Sequence, residues 1–389
     1  MDKTVIRKRQ LLKFFLGMLV AFCGLPAIAS DNFQTVNIGF VGPITGMSQS
    51  AGKGMLNAAQ LAIDDLNKAA LGINDKKVHF QLLAQDDESN PNIGKIAAQY
   101  LVHSKVAGVV GFYNSSVALN SSAIYQQAGI AHLSLVASYA FTHQGFDTAF
   151  RMVACDNRRA DILVRFAVNE MGKNKLAIVY TNDFFGDGFK ESFIKSIGQL
   201  DAKVVSINSF NPNSYDFNQV NEKLKSTRPD AVLFAGVGDQ TAMFAKYIHG
   251  LNSDIPIFTA TAIVDSQYKL IAGEKAKATF SLVPGVHSQK SEALLNFEKA
   301  YRQRFGDHIE IYAATAYDQV QVLAAAVMKA GTAEPHAVTN ALHAINYKGL
   351  TGKISFNVDG DLRELSYSMY QFKDASWDLV KEYKASSGC

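Results

Sequence analysis

The sequence predicts an α/β protein built from two doubly wound parallel-sheet lobes. Short runs rich in Val, Ile and Phe alternate with amphipathic helical patterns along most of the 389 residues, an order typical of parallel sheets with crossover helices. About nine such runs are more than one compact sheet of about five or six strands needs. Residues 131–175 interrupt the alternation, which indicates that the chain crosses between two lobes there.

The individual elements follow from these patterns. The buried strands are predicted at 36–44, 78–87, 106–112, 131–135, 175–183, 203–210, 231–236 and 256–261, with later strands at 353–356 and 367–372. The helices are predicted at 55–69, 91–103, 117–128, 158–171, 185–199, 216–226, 239–251, 290–304 and 311–330. Apolar residues recur at helical spacing in the first of these, with polar residues on its other faces, so that it can cover a sheet.

The break at 131–175 and a second crossing near 284–285 define the predicted lobes. We assign residues 30–155 plus 285–365 to lobe 1 and residues 156–284 plus 366–389 to lobe 2. Two lobes that one chain crosses several times form a hinge with a cleft between them.

The N-terminus has the three parts of a secretory signal peptide. Five Lys and Arg residues within the first 13 precede an apolar run over 14–25 and a small-residue site that ends at Ala29. The run is too short to span a bilayer, which needs about 20 residues. We predict cleavage after Ala29 and a periplasmic location. A lipid anchor on Cys23 is the less favoured alternative, because the bulky Phe22 precedes it.

The net charge of +3 belongs to this signal and not to the rest of the chain. Residues 1–29 hold five of the 38 Lys and Arg residues and one of the 35 Asp and Glu residues, so the remainder carries about −1. Nucleic-acid binding therefore lacks an electrostatic basis. Cys155 and Cys389 remain after cleavage, and since their spacing gives no disulfide signal we interpret them as unpaired.

Three loops that contain Ser follow the first, third and fourth predicted strands, at 42–54, 114–116 and 136–139. Ligands of open α/β sheets bind beyond the carboxyl ends of the strands, where helix N-termini present free N–H groups. The three loops together therefore suit a small ligand with a carboxylate. The alternative is that these serines only cap helices.

The sequence patterns of several enzyme classes are missing. The segment 46–54 lacks the spacing and the Ser or Thr of a phosphate-binding loop, and the glycines at 236 and 238 lack the third glycine of a dinucleotide-binding turn. The cluster Asp86, Asp87 and Glu88 could hold a metal, but a solvated or helix-capping role is favoured. We predict no enzyme activity, no cofactor and no metal.

Six segments resemble the leucine/isoleucine/valine-binding type of periplasmic solute-binding protein. They are IGFVGPITGMSQSAGKGMLNAAQLAIDDLN at 38–67, DDESNP at 86–91, VAGVVG at 106–111, FR at 150–151, FFGDGF at 184–189 and TGKISFNVDGD at 351–361. The resemblance implies the type I periplasmic binding protein fold, in which a three-crossover hinge joins two doubly wound lobes. It also implies closure on one small ligand and its delivery to a membrane ABC permease.

The resemblance implies a set of ligand-binding residues. Ser115 and Ser138, with backbone near Val136, would hold the ligand carboxylate and main polar group, while Phe185 and Tyr312 would line the cleft with aromatic rings.

Several positions depart from the family pattern. Ala51 and Gly238 replace large rings, which would enlarge the pocket, and Ala262 replaces the acid that pairs with a ligand ammonium. Asp239 or Asp265 could supply that acid from a neighbouring loop. Ser89 and Asn114 occupy the positions of the family's N-terminal disulfide.

These observations predict a monomeric substrate-binding component of an ABC importer. Its ligand would be a small amino acid or, if neither aspartate replaces the missing acid, an amide, a urea-like compound or an aromatic or aliphatic carboxylate. The alternative function is a sensing module that presents its closed form to a receptor or regulator.

Overall fold

The computed structural model describes residues 33–46, 48–211, 214–236, 239–251, 254–259, 266–273, 276–284, 291–385 and 389. The predicted signal peptide, Cys23, Gly238, Ala262 and Asp265 lie outside these ranges. No helix in the described ranges is long and apolar enough to cross a membrane.

The first sheet has the strand order β2-β3-β1-β4-β5-β6. Its strands are β1 (Phe33–Gly42), β2 (Gly72–Ile73), β3 (Lys76–Asp86), β4 (Gly108–Gly111), β5 (His132–Ser134) and β6 (Ala149–Arg151). Only the short β2 is antiparallel to its neighbour among these described strands, while β1 pairs in parallel with both β3 and β4. The centre of this sheet is buried on both faces, as near-continuous apolar runs require.

The second sheet has the order β15-β14-β11-β10-β9-β7-β8. Its strands are β7 (Lys175–Thr181), β8 (Lys203–Phe210), β9 (Ala231–Ala235), β10 (Ile257–Thr259), β11 (Thr279–Pro284), β14 (Leu365–Lys373) and β15 (Ser376–Ala385). The strands from β7 to β11 pair in parallel, whereas β14 and β15 join as antiparallel strands beside β11. The two sheets with crossover helices confirm the predicted α/β class.

Helices connect the strands and cover the sheets. They are α1 (Gln49–Lys68), α2 (Pro91–His103), α3 (Ser115–Ala128), α4 (Asp156–Arg165), α5 (Phe184–Ile197), α6 (Asn218–Thr227), α7 (Asp239–Gly250), α8 (Ser266–Ala272), α9 (Glu292–Phe305), α10 (Ala313–Ala330) and α11 (Pro335–His343). A short 3-10 helix spans Tyr139–Phe141, a π-helical stretch over Phe166–Glu170 extends α4, and β12 (Tyr347–Gly349) forms a hairpin with β13 (Gly352–Ile354).

Close packing of α10 on the first sheet brings residues distant in sequence into one core. A Cβ atom at Gly108 in β4 would lie 2.5 Å from the side chain of Leu323 in α10, so a larger residue here would force that side chain to move. Gln319, one turn earlier, is buried and donates its side-chain amide to Leu133 O at 2.9 Å. Helix α10 therefore belongs with the first sheet, although it follows the strands β7 to β11 in sequence.

The C-terminal region corrects two predictions. The strand predicted at 367–372 was expected to be the last of the chain, but β15 follows it and pairs antiparallel with β14. The interpretation of Cys155 and Cys389 as unpaired is wrong, because the structure joins them in a disulfide with a Cα–Cα distance of 5.5 Å. The two cysteines are 234 residues apart in the sequence. Because β15 runs back along β14, this separation did not indicate how close they lie in the structure.

Candidate functional site

The three loops that contain Ser lie on one edge of the first sheet. The strands β1, β4 and β5 are neighbours in the sheet, and Ala51, Ser115 and Ser138 follow their carboxyl ends. Ser138 is half-buried and its hydroxyl makes no capping hydrogen bond, while Ser115 is the first residue of α3, which its N-cap Asn114 precedes. Neither serine therefore caps a helix through its hydroxyl here, and their role in ligand binding stays a prediction.

Buried Arg151 fixes the backbone of the loop that contains Val136 and Ser138. Its side chain is fully buried and donates to Ser138 O at 2.6 Å and more weakly to Val136 O at 3.4 Å. The same guanidinium pairs with Asp361 at 2.7 Å and donates to the Thr142 hydroxyl at 2.6 Å. The FR motif at 150–151 and the last residue of the TGKISFNVDGD segment at 351–361 thus meet at this loop.

The acidic cluster at 86–88 supports a neighbouring loop. Asp86 accepts a hydrogen bond from Ile44 N at 2.9 Å and another from the Thr45 hydroxyl at 2.5 Å. Burial raises the pKa of the Asp86 carboxyl, but these hydrogen bonds outweigh it and lower the pKa overall. No group of three or more metal-ligating side chains occurs in the part of the chain that the structure describes. Asp86 therefore shapes the turn that leads to Ala51.

The first turn of α1 lies beside the segment that leads to Tyr312. The hydroxyl of Ser50 donates to the Glu310 carboxylate, and the Tyr301 hydroxyl donates to Gly54 O at 3.2 Å. Ala51 sits between these two contacts and is partly buried. The structure thus places Ala51 and Tyr312 in the same region of the site.

Phe185 and Asp239 lie in the first turns of α5 and α7, the helices that follow β7 and β9 of the second sheet. Asp183 caps α5 by accepting a hydrogen bond from Gly186 N at 2.8 Å, which fixes the half-buried Phe185 in the first turn. Asp239 is exposed at the start of α7. The predicted contributions of Gly238, Ala262 and Asp265 stay predictions, since those residues are outside the described ranges.

Tyr113 contacts Tyr312 and lies within range of charges from both sheets. It follows β4, and its ring lies edge-on to Tyr312 with 6.2 Å between the ring centres. Burial raises the pKa of Tyr113, and the charges of Arg159 and Asp239 act on the same hydroxyl, in opposite directions. The carboxyl ends of both sheets therefore lie within electrostatic reach of one another.

The sequence reasoning missed Asp156 and Arg159, which the structure adds to the site. Asp156 begins α4, and its backbone N–H donates to Ala137 O at 2.8 Å, beside the loop of Ser138. Both side chains are buried, and the Oδ1 atom of Asp156 has no hydrogen-bond partner. Burial raises the pKa of the Asp156 carboxyl, while Arg159 and Arg151 act to lower it.

The location of these two residues explains why they were missed. They follow the carboxyl end of β6 (Ala149–Arg151), a three-residue strand that the sequence patterns did not predict, so the strand-end rule was not applied there. The available signal was an acidic residue at the start of a helix directly after a short strand.

Comparison with known proteins shows relatives over nearly the whole chain. A leucine-, isoleucine-, valine-, threonine-, and alanine-binding protein of Pseudomonas aeruginosa is 26% identical over 377 residues, which are 96% of this chain and 99% of that protein. The Leu/Ile/Val-binding protein BraC3 of Rhizobium johnstonii is 26% identical over 367 residues, which are 93% of this chain and 97% of that protein.

Solved structures share the fold. The branched-chain amino acid transporter substrate binding protein LivJ of Streptococcus pneumoniae, in complex with isoleucine, matches with a TM-score of 0.81 and 23% identity over 90% of this chain and 100% of that chain. A solute binding protein of R. palustris in complex with benzoate matches with a TM-score of 0.79 and 17% identity over 92% of this chain and 99% of that chain.

The family profile described as periplasmic binding protein matches residues 35–375. This match confirms the resemblance drawn from the sequence motifs, and it agrees with the prediction that the chain is not an enzyme. The chain therefore belongs to the periplasmic binding protein family of non-catalytic solute-binding proteins.

Proposed function

We propose that this chain is the substrate-binding component of an ABC importer, which closes two lobes on a small amino acid or a related carboxylate or amide. The observation that carries the proposal is that Tyr113 follows a strand of the first sheet, packs on Tyr312 and lies within range of the charge of Asp239, which begins a helix after a strand of the second sheet. The printed names of the relatives, which include binding proteins for aliphatic amino acids, support the ligand class.

The ligand carboxylate binds at the first sheet in this proposal. The N-terminus of α3 at Ser115 supplies backbone N–H groups and a positive dipole end, and the Ser138 hydroxyl supplies a further donor. Arg151 holds the carbonyl groups of the Ser138 loop away from the ligand, because it already binds two of them. The loop therefore keeps its shape when no ligand is present.

The ligand amino group binds Asp156 in this proposal, with Asp239 as the second acidic group. The buried Oδ1 atom of Asp156 has no hydrogen-bond partner, and an ammonium group would supply one. The carboxylate of Asp156 lies close enough to Tyr312 to raise the pKa of its hydroxyl, which burial raises first. Asp156 thus offers the acidic group that Ala262 cannot provide.

A thermal-shift screen of amino acids, amides, ureas and aromatic acids tests this function. A ligand at a hundredfold excess over its Kd stabilises the native state by about 2.7 kcal/mol. Mass spectrometry of the protein under native conditions identifies any molecule that copurifies. The proposal fails if no compound of these classes raises the melting temperature or produces heat on titration.

The same proposal places the protein in the periplasm, as a monomer that docks on a membrane permease. N-terminal sequencing of the exported protein should begin at Ser30 if cleavage follows Ala29. A start at a lipid-modified Cys23 would instead support the anchored alternative.

A further inference from the structure

A carboxylate outside the predicted site residues contacts the first turn of α1. Glu310 belongs to the segment that joins α9 to α10, and it lies two residues before Tyr312. Its carboxylate accepts a hydrogen bond from the Ser50 hydroxyl, and the same oxygen, Oε1, lies 3.2 Å from Nε2 of His308. Glu310 thus holds this segment against the loop that follows β1.

Small residues of α1 surround the side chain of Glu310. Gly54 permits the contact, because a Cβ atom at this position would clash with Cγ of Glu310. Ala51, which lies between Ser50 and Gly54 in the helix, is partly buried and carries only a methyl group. The side chain of Glu310 remains 19% exposed. Solvent can therefore reach the carboxylate, and so can a ligand.

The charge of Glu310 acts on tyrosines of the candidate site. Burial raises the pKa of the Tyr113 and Tyr301 hydroxyls, and the negative charge of Glu310 adds to that rise at both. The ring of Tyr113 packs edge-on to Tyr312, and the Tyr301 hydroxyl donates to Gly54 O. Glu310 therefore lies in the same region of the candidate site as Ala51 and Tyr312.

Glu310 can accept a hydrogen bond from a ligand and still keep both of its described contacts. A carboxylate has two oxygens with about four acceptor positions. Ser50 and His308 both lie on Oε1, so Oε2 can accept from a ligand without displacing either residue. The Ser50 contact also fixes the direction of the carboxylate before a ligand binds.

The charges around Tyr113 suit a cation better than an aliphatic group. Glu310 and Asp239 act on its hydroxyl with negative charge, and Arg159 acts on it with positive charge. An ammonium or guanidinium group would form a charge-assisted hydrogen bond with the carboxylate of Glu310. A hydrocarbon pressed against that carboxylate would displace water without supplying a donor.

We infer that Glu310 is a specificity-determining residue that binds a cationic group at the end of the ligand side chain, so that the protein prefers basic amino acids to branched aliphatic ones. This inference rests on the proposed amino acid ligand. The α-carboxylate and α-ammonium groups bind as proposed above, and the side chain extends past Ala51 to Glu310.

Calorimetric titration of ligand-free protein with L-arginine, L-lysine and L-leucine tests the inference. Wild type should bind at least one of the basic amino acids about tenfold more tightly than leucine, or better. Glu310→Gln keeps an oxygen for Ser50 but removes the charge, so it should weaken that binding about 10- to 100-fold and change leucine binding by less than about threefold. Ser50→Ala leaves the charge in place and should cause a smaller loss.

Glu222→Gln is the matched control, because it removes the same charge from a side chain that is 71% exposed and pairs with Lys225 at 3.0 Å within α6. It should leave all three affinities unchanged. If Glu310→Gln does not fold, the order of the three wild-type affinities still decides.

Tighter binding of leucine than of both basic amino acids by wild type would overturn the inference and leave the proposed function intact. An unchanged affinity of Glu310→Gln for the basic amino acid, or equal losses for all three ligands, would do the same. Binding of other carboxylates or amides but of no amino acid would also overturn only the inference. If no compound of these classes binds, both proposals fail.

Discussion

The ion pair of Arg151 and Asp361 gives the sharpest test of how the ligand loop is held. Both side chains are at most 1% exposed and meet at 2.7 Å. Asp361→Ala would remove the carboxylate that pairs directly with the guanidinium of Arg151, and with it the acceptor of the Thr142 hydroxyl. Removing one partner of such a buried pair costs about 3–5 kcal/mol, because the other charge stays buried.

Equilibrium unfolding in urea, without ligand and at neutral pH, measures this loss. Glu364→Ala is the matched control, since Glu364 pairs with Lys353 at the same distance of 2.7 Å but both side chains are more than half exposed. That exposed pair contributes about 0–1 kcal/mol. Asp361→Ala should therefore lower the free energy of unfolding by several times as much as the control.

The same variant should weaken ligand binding, because Arg151 also holds Ser138 O. Asp361→Asn keeps an oxygen acceptor and should fall between wild type and Asp361→Ala in both measurements. If Asp361→Ala costs no more stability than Glu364→Ala, the buried pair does not hold this loop and the reasoning is refuted.

Three further predictions concern the hydroxyl, a buried carboxyl and the disulfide. Ser138→Ala should weaken ligand binding by about 1–3 kcal/mol in a calorimetric titration, and an unchanged Kd would remove Ser138 from the site. Burial and the charge of Asp86 raise the pKa of Asp87 to about 6, so this carboxyl stabilises the native state less as the pH rises from about 4 to 6. Relative to wild type, Asp87→Asn should gain up to about 3 kcal/mol between pH 4 and pH 7 in urea unfolding, whereas an equal effect at both pH values would contradict the shift. Cys155→Ser should lower the free energy of unfolding by about 2–4 kcal/mol without reductant, and thiol alkylation of unreduced wild type would show that Cys155 and Cys389 are not paired.

Hydrophobic patterning predicted the central strands because they are buried on both faces. Strand β9 (Ala231–Ala235) is buried at every position, so its sequence is continuously apolar and easily recognised. Strand β15 lies at the edge of the sheet and its side chains are mostly partly or fully exposed, so charged residues interrupt its pattern. The missed helix α11 did carry local signals, namely Pro335 at its start and a capping Glu334.

The positions of the candidate site residues were predictable where the rule of strand ends applies. Ser115, Ser138 and Phe185 all follow parallel strands, and the structure places them at the carboxyl edges of the two sheets. Asp156 and Arg159 were not assigned in this way, because the short strand β6 that precedes them was not predicted, and their contacts with Ala137 and Phe189 are made across the fold. Tertiary contacts of this kind leave no periodic pattern in the sequence.

The antiparallel pairing of β11 with β14 has a consequence for the folding order. It joins Val283 to Ser368, and the chain between them contributes α10 to the first sheet. The second sheet is therefore completed only when strands that lie on either side of α10 in the sequence meet. Contacts between such distant segments slow folding, and a chain interrupted before Leu365 would leave β11 as an open edge prone to aggregation. We expect the two sheets to unfold in one cooperative transition.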